Sequence, residues 1–352
     1  MLAPDANLTN TLAVTLPPPE SPVDWRQIVS PVQPFLDAVT VRLGEQVDAF
    51  DPEIAPYAKY ALTNQGKHLR PALVALSGGS IQPEGDIDDL VTVAVIIEMI
   101  HLATLVHDDI MDMAEMRRQR PTLAANWGNQ ISVLLGDCLF AHALKLAASF
   151  PTTEVCRAVS SATNTVCSGE ILQTHRRGKL DMARSEYFKI LSMKTGELFA
   201  LSCDLGAHLS KASATQRKAL REYGMALGTA YQIYDDCVDL FDSEDRAGKS
   251  LGTDLASGKV TLPLLVVLEK CTPAERTQLE QWLQAWQPNY QEGVGALLER
   301  YDALTISRQV IEQHLMEARQ QLKNLPLTPG RQALQALTDF LAQQTNGLGV
   351  TA

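Results

Sequence analysis

Residues 90–112 read LVTVAVIIEMIHLATLVHDDIMD. From Leu90 to Val106 the run is apolar on nearly every helical face, interrupted by Glu98 and His101. A helix apolar all round belongs in the middle of a fold or in a membrane. The run is short for a membrane span, which takes about 20 apolar residues, and it ends in Asp108-Asp109. A buried core helix over 88–116 is therefore expected, with no transmembrane segment. Peripheral association with a membrane is compatible with this reading.

The flanking sequence repeats the helical pattern and supplies no period-2 alternation of the kind a strand needs. Breakers and apolar spacing place helices at 34–50, 54–65 and from Arg70-Pro71 onward, with Pro at an early helical position. Further helices are expected at 130–149, 153–173, 185–209 and 215–242. A polar, Gly-rich loop at 243–259 follows. The rest of the chain reads as helices at 260–270, 273–286, 293–301 and 305–325, and a last one after Pro329-Gly330 that ends near Gln344. No Pro/Gly/Ser linker divides this array. The expectation is an all-α single domain over 25–346, a helical bundle around a central cavity. A disordered Pro-rich leader at 1–24 and a short tail at 347–352 flank it.

Composition narrows the function. The net charge of −11 leaves no basic surface to track a nucleic-acid backbone, so nucleic acid is not an expected partner. The six cysteines include no CxxC pair and read as reduced core residues of a cytoplasmic protein. The segment before Arg26 contains no Lys or Arg, unlike a secretory or transit leader.

The chemistry sits where apolar helices end. Asp108, Asp109 and Asp112 form one cluster. On a helix, Asp108 and Asp112 lie on one face with Cβ atoms roughly 5–6 Å apart, and two like charges there are unfavourable. A hard divalent cation offsets them; Mg²⁺ takes one or two carboxylates plus phosphate oxygens and water. Asp235, Asp236 and Asp239 repeat the spacing at the end of a second apolar helix. If the two helices face each other, six carboxylates line the mouth of one cavity, an arrangement that suits several Mg²⁺ ions around a diphosphate. Lys67, Arg70, Arg117, Arg118, Lys194, Lys249 and Lys259 are the nearby cations. Lys acts as a point charge and Arg as a planar fork for phosphate oxygens.

In the order GKHLRP (66–71), IEMIHLATLVHDDIMD (97–112), RRQRPT (117–122), GD (136–137), GEILQ (169–173), KTGEL (194–198), YQIYDDCVD (231–239) and GKSLGTDLASGKVTLP (248–263), the chain resembles the trans-isoprenyl diphosphate synthase (polyprenyl synthetase) family. The resemblance spans roughly 30–345. It implies an all-α fold, a homodimer, and Mg²⁺-dependent condensation of isopentenyl diphosphate with an allylic diphosphate. It also implies Asp108, Asp112 and Asp235 as direct metal ligands, with Asp109, Asp236 and Asp239 acting nearby or through water. Lys67, Arg70, His101 and Arg118 match the isopentenyl diphosphate site. Arg117, Lys194, Thr195, Gln232, Lys249 and Lys259 match the allylic diphosphate site. One departure stands out: the family's Gly-Gly-Lys-Arg is here Gln65-Gly66-Lys67-His68, which alters loop geometry and charge. His107 is read as structural.

Product length depends on what lines the cavity below Asp108. Ala103 and Thr104, five and four positions earlier, are small, where the family's short-chain members carry bulky aromatics. The tail can therefore pass this level toward Ile100, Met99, Ile97 and Ile96. Ile96 lies about 12 Å further along the helix from Thr104. A product above C20 is expected, with Phe140 or Leu144 as candidates for closing the floor. The alternatives are a short-chain (farnesyl/geranylgeranyl) synthase, a class I terpene cyclase and a non-catalytic regulatory subunit. The paired aspartate clusters together with Lys67 and Arg70 argue against a cyclase. The presence of all six carboxylates argues against a non-catalytic subunit.

Overall fold

The computed structural model describes residues 24–63, 66–81, 87–242 and 251–349. The expected leader, apart from Asp24, and Gln65 and Lys249 lie outside the described residues. The helices in chain order are α1 (Trp25–Val29), α2 (Gln33–Glu45), α3 (Ala55–Leu62), α4 (Leu69–Gly79), α5 (Ile87–Met111), α6 (Leu123–Ala148), α7 (Thr153–Arg176), α8 (Arg184–Leu191), α9 (Glu197–Leu209), α10 (Ala214–Phe241), α11 (Thr253–Ala256), α12 (Leu262–Lys270), α13 (Pro273–Gln284), α14 (Gln291–Arg300), α15 (Ala303–Leu322) and α16 (Pro329–Asn346). This is the all-α bundle the sequence implied.

The opening stretch is the axis of the bundle. α5 carries Asp88 and Asp89 in its first turn, where carboxylates complement the helix dipole. Val93 through Ile97, Met99, Ile100 and Ala103 are fully buried. α5 packs against α6, α4, α2 and α9, while α10 packs against α9 and α15. Close approach of α4 and α9 needs Gly206, where a Cβ would stand 2.3 Å from the Val74 carbonyl oxygen. α5 and α6 are both long and apolar enough to cross a membrane by length and composition; 67% of the α5 window is buried inside the fold.

Three local features depart from the periodic reading. α5 stops at Met111 rather than 116, and the chain turns into a two-stranded hairpin, β1 (Met116–Arg117) and β2 (Arg120–Pro121). Arg118 and Gln119 at its tip both take left-handed φ, 51° and 59°, as a two-residue type I′ turn requires. Neither residue favours that region, and backbone outliers of this kind cluster at functional sites. Second, the expected helix at 185–209 is continuous but carries a π turn over Ser192–Gly196, a feature frequent at functional sites. Third, α6 begins seven residues earlier than expected: Thr122 caps it by accepting from Ala125 N at 3.1 Å, and Gly128 (φ 83°) kinks it.

Candidate active site

The first cluster leaves α5 at its last turn, and each carboxylate meets a cation from a different element. Arg117 Nε, delivered by the hairpin, donates to Asp109 Oδ1 at 2.6 Å. Lys194, on the π turn, stands 3.5 Å from Asp108 Oδ2 and also pairs with Glu170 of α7. Arg177, just past α7, pairs with Asp112, and Lys259 Nζ lies 3.8 Å from the other Asp112 oxygen. Burial raises the pKa of Asp108, an effect Lys194 opposes while Glu170 and Asp112 add to it. Asp109 is likewise raised by burial against the pull of Arg117.

The second cluster leaves the last turns of α10. Asp236 is buried and accepts from Tyr187 Oη at 2.6 Å and Gln232 Nε2 at 2.9 Å. Thr195 Oγ1 in turn donates to Gln232 Oε1 at 2.8 Å, so the π turn and α10 are joined through one amide. Burial and then the Asp254 charge push the Asp236 carboxyl up to about 7, although the Tyr187 and Gln232 hydrogen bonds favour its ionised form. Asp239 has a different task from its neighbours. Its Oδ1 accepts from Thr253 N (3.3 Å) and Thr253 Oγ1 (3.1 Å), and its Oδ2 from Asp254 N (3.1 Å). It thereby holds the start of α11, the segment that brings Asp254 and Lys259 to the site.

A cavity of about 90 Å³ lies between these groups; Lys194, Gln232, Asp235, Asp236, Asp254 and Lys259 are among the residues lining it. Lys194 and Lys259 each also reach the first cluster, so these two cations join the ends of the two aspartate helices. Burial works against the Lys259 ammonium, but Asp254, Asp112 and Asp236 together hold its pKa above the ordinary lysine value. Glu170, Arg177, Tyr187 and Asp254 belong to this assembly and had no assigned role. Glu170 and Asp254 stood inside quoted stretches, at 169–173 and 248–263. Arg177 and Tyr187 carried no signal beyond a basic doublet and a helix.

A second group of cations gathers behind the hairpin. The Arg70 guanidinium lies 5.1 Å over the Phe199 ring, and its buried Nε has no hydrogen-bond partner. Arg118 packs against Gly66, where a Cβ would come within 2.6 Å of the guanidinium. A side chain at 66 would displace the guanidinium, the flexible far end of Arg118. Burial, then Arg70, Arg118, Arg117 and His68, hold His101 well below the ordinary histidine pKa. His101 is therefore neutral at neutral pH and offers a hydrogen bond without a charge. Lys67 is exposed. His68, the departure noted above, takes left-handed φ at 46° as the residue before α4 and lies 3.7 Å from Glu98. His107 packs between helices, its Nε2 3.1 Å from Val133 O, above Gly136, where a Cβ would overlap the ring.

The donor set is all oxygen, which suits a hard divalent cation. Among the described residues no three Asp, Glu, His or Cys side chains converge to hold a metal by themselves. Burial raises the pKa of Asp108, Asp109 and Asp236, so added positive charge here offsets a penalty already present.

Below Asp108, Thr104 is partly exposed, its Oγ1 donating to His101 O at 2.7 Å, and Ala103 is fully buried. Ile100, Met99, Ile97 and Ile96 are fully buried as well. The Phe140 ring lies 5.8 Å from that of His107.

A family model described as polyprenyl synthetase matches residues 51–300. The heptaprenyl diphosphate synthase component 2 of Bacillus subtilis is 34% identical over 309 residues, 88% of each chain. The octaprenyl diphosphate synthase of Escherichia coli is 33% identical over 309 residues, 87% of this chain and 94% of its own. A crystal structure of a decaprenyl diphosphate synthase from Rhodobacter capsulatus superposes with a TM-score of 0.85 at 29% identity, covering 92% of this chain and 99% of the other.

Proposed function

The chain belongs to the polyprenyl synthetase family, and from that premise we propose that it condenses isopentenyl diphosphate with an allylic diphosphate to make an all-trans product above C20. The observation that carries the reading is a cavity lined by Asp235 and Asp236 of the second cluster, whose Lys194 and Lys259 also reach Asp108 and Asp112 of the first. Asp108, Asp112 and Asp235 would hold Mg²⁺ together with the allylic diphosphate, and the bound ion would supply Lewis-acid stabilisation of the leaving group.

This chain's own residues do the rest. Arg117, Lys194, Lys249 and Lys259 hold the allylic diphosphate and stabilise the charge that grows on it as the C1–O bond breaks. Thr195 and Gln232 fix the position of Asp236. Lys67, Arg70 and Arg118, with neutral His101, bind the isopentenyl diphosphate so that its double bond attacks C1 of the allylic cation. Proximity on one side of the bundle replaces a bimolecular encounter. A proton then leaves, taken by the departed diphosphate, and the double bond re-forms. No side-chain nucleophile takes part.

The long product is supported by small Ala103 and Thr104 in the first turn below Asp108. The names of the relatives do not decide, since a short-chain isoprenyl diphosphate synthase stands beside the heptaprenyl and octaprenyl ones. A short-chain (farnesyl/geranylgeranyl) reading is favoured by one observation: Ile100, one turn below Thr104, is fully buried, so a long tail must part these side chains. Purified protein with Mg²⁺, isopentenyl diphosphate and allylic primers, analysed by mass spectrometry, decides. Products above C20 are expected, and termination at C15 or C20 refutes the long-chain reading. Consumption of the allylic substrate alone would indicate a cyclase, and complete inactivity until a partner is added would indicate a regulatory subunit.

The same proposal includes a cytoplasmic homodimer that does not cross the membrane. Burial of α5 accounts for its apolar length. The dimer is supported by exposed apolar residues on adjacent helices, Leu134 of α6 and Ile171 of α7, which are 61% and 68% exposed. Light scattering after size exclusion measures the mass directly, and a monomer at micromolar concentration refutes it.

A further inference from the structure

We propose that Arg177 is a further diphosphate-binding residue, parked on Asp112 until a divalent cation takes that carboxylate and then turned onto the substrate's phosphate oxygens. The inference rests on the reading above that Asp112 holds Mg²⁺ together with a diphosphate.

Arg177 is the first residue past α7, where the backbone leaves the helix for an extended ψ of 131°. One terminal nitrogen pairs with Asp112 Oδ1, and the other lies 3.4 Å from the Met111 carbonyl. Both contacts fall at the end of α5, on its last residue Met111 and on Asp112 just after it, 66 and 65 positions away. The remaining donor, Nε, is buried with no hydrogen-bond partner. A buried N–H with nothing to donate to is costly and uncommon in folded proteins. Here Arg177 lines the same cavity as Lys194, Gln232 and Lys259. An arginine donates through a planar fork, and phosphate oxygens match it two at a time. The edge formed by Nε and one terminal nitrogen becomes available once Asp112 is taken by a metal.

The neighbouring Arg176 shows the contrast. It lines the same cavity, yet it pairs with Glu186 and, at 3.7 Å, with Asp181, acids outside both aspartate clusters. Arg177 instead pairs with an expected metal ligand. Its place is also built by the backbone. Gly178 N donates to Gly258 O at 2.8 Å, which ties the end of α7 to the segment carrying Lys259. Arg177 and Lys259 therefore reach Asp112 together, two positive charges where one divalent ion would bring two. When that ion arrives, repulsion at this short range drives the guanidinium off, and the nearest new acceptor is the diphosphate the ion carries.

Isothermal calorimetry of inorganic pyrophosphate in the presence of Mg²⁺ tests this without turnover. Wild type is expected to bind, and Arg177→Gln to bind about tenfold to a hundredfold more weakly, as loss of charge-assisted hydrogen bonds implies. Arg177→Lys keeps the charge that offsets Asp112 and loses only the fork. It is expected to be intermediate, which separates phosphate recognition from a folding defect. Arg184→Gln, outside the cavity and paired with Glu269, is expected to match wild type. Binding by Arg177→Gln equal to or tighter than wild type overturns the proposal, since a residue that merely shields Asp112 would give that result. Failure of wild type itself to bind Mg²⁺-pyrophosphate overturns the underlying reading of the metal site.

Discussion

Replacing Asp239 by Asn should loosen a loop rather than empty a metal site. The side chain is 4% exposed, and its two oxygens accept from Thr253 N, Thr253 Oγ1 and Asp254 N at 3.1–3.3 Å. Asn keeps one acceptor oxygen and turns an NH₂ toward the donors on the other side. At least one hydrogen bond to a charged acceptor is lost and a donor faces a donor. Hydrogen bonds to charged groups contribute about 1.5–3 kcal/mol each. A loss of about 2 kcal/mol corresponds to about a 30-fold increase in local opening. Amide hydrogen exchange at Thr253 and Asp254 should therefore quicken by about that factor, because these N–H groups report the opening directly. The Michaelis constant for the allylic substrate should rise in step, since Lys259 and Asp254 are delivered by the same segment. Asp108→Asn supplies the comparison: its ion partner Lys194 is on the π turn, so exchange at 253–254 should stay as in wild type while turnover collapses. Unchanged exchange in Asp239→Asn, together with loss of Mg²⁺-pyrophosphate binding, would refute the positioning role and make Asp239 a metal ligand.

Ala103→Phe should shorten the product, because it adds a ring one turn below the carboxylates; an unchanged product mass sinks the tail path along α5. Gly206→Ala should cost about 1–3 kcal/mol, because the methyl would stand 2.3 Å from a backbone oxygen of Val74; urea unfolding at wild-type stability would show that α4 and α9 can separate freely. Glu275 is held down to about 2 by Tyr301 Oη, then by the Thr272 amide and hydroxyl and by Arg300. A depressed carboxyl contributes stability that is complete above its ordinary pKa of 4.5 and lost as pH falls toward about 2. The denaturation midpoint of Glu275→Gln should therefore fall less steeply than that of wild type between pH 5 and 2, and parallel curves would contradict the assignment. Removal of divalent ions with a chelator should abolish condensation and leave the melting temperature nearly unchanged, because the fold's core is built without the site; a large fall in melting temperature would mean the ion is structural.

The chain's own periodicity determined the all-α bundle, the central place of the run from Leu90 to Val106 and the ends at which chemistry collects. Those are short-range properties: apolar residues repeating around a helix must be buried, and carboxylates four positions apart must share a face. Asp108 with Asp112 was legible for that reason, as was the paired cluster at Asp235. The hairpin over 116–121 was not, because two-residue strands have no period to detect and its tip uses Arg118 and Gln119 where Gly or Asn would have signalled a turn. Only tertiary structure decided which cation meets which carboxylate. Arg177 pairs with Asp112 across 65 positions, and Asp239, identical in type and spacing to Asp112, is spent on the backbone of α11. No local rule distinguishes those two aspartates. The packing of α7 and the 251–260 segment against the ends of α5 and α10 does, because it sets which donors stand within reach of each oxygen.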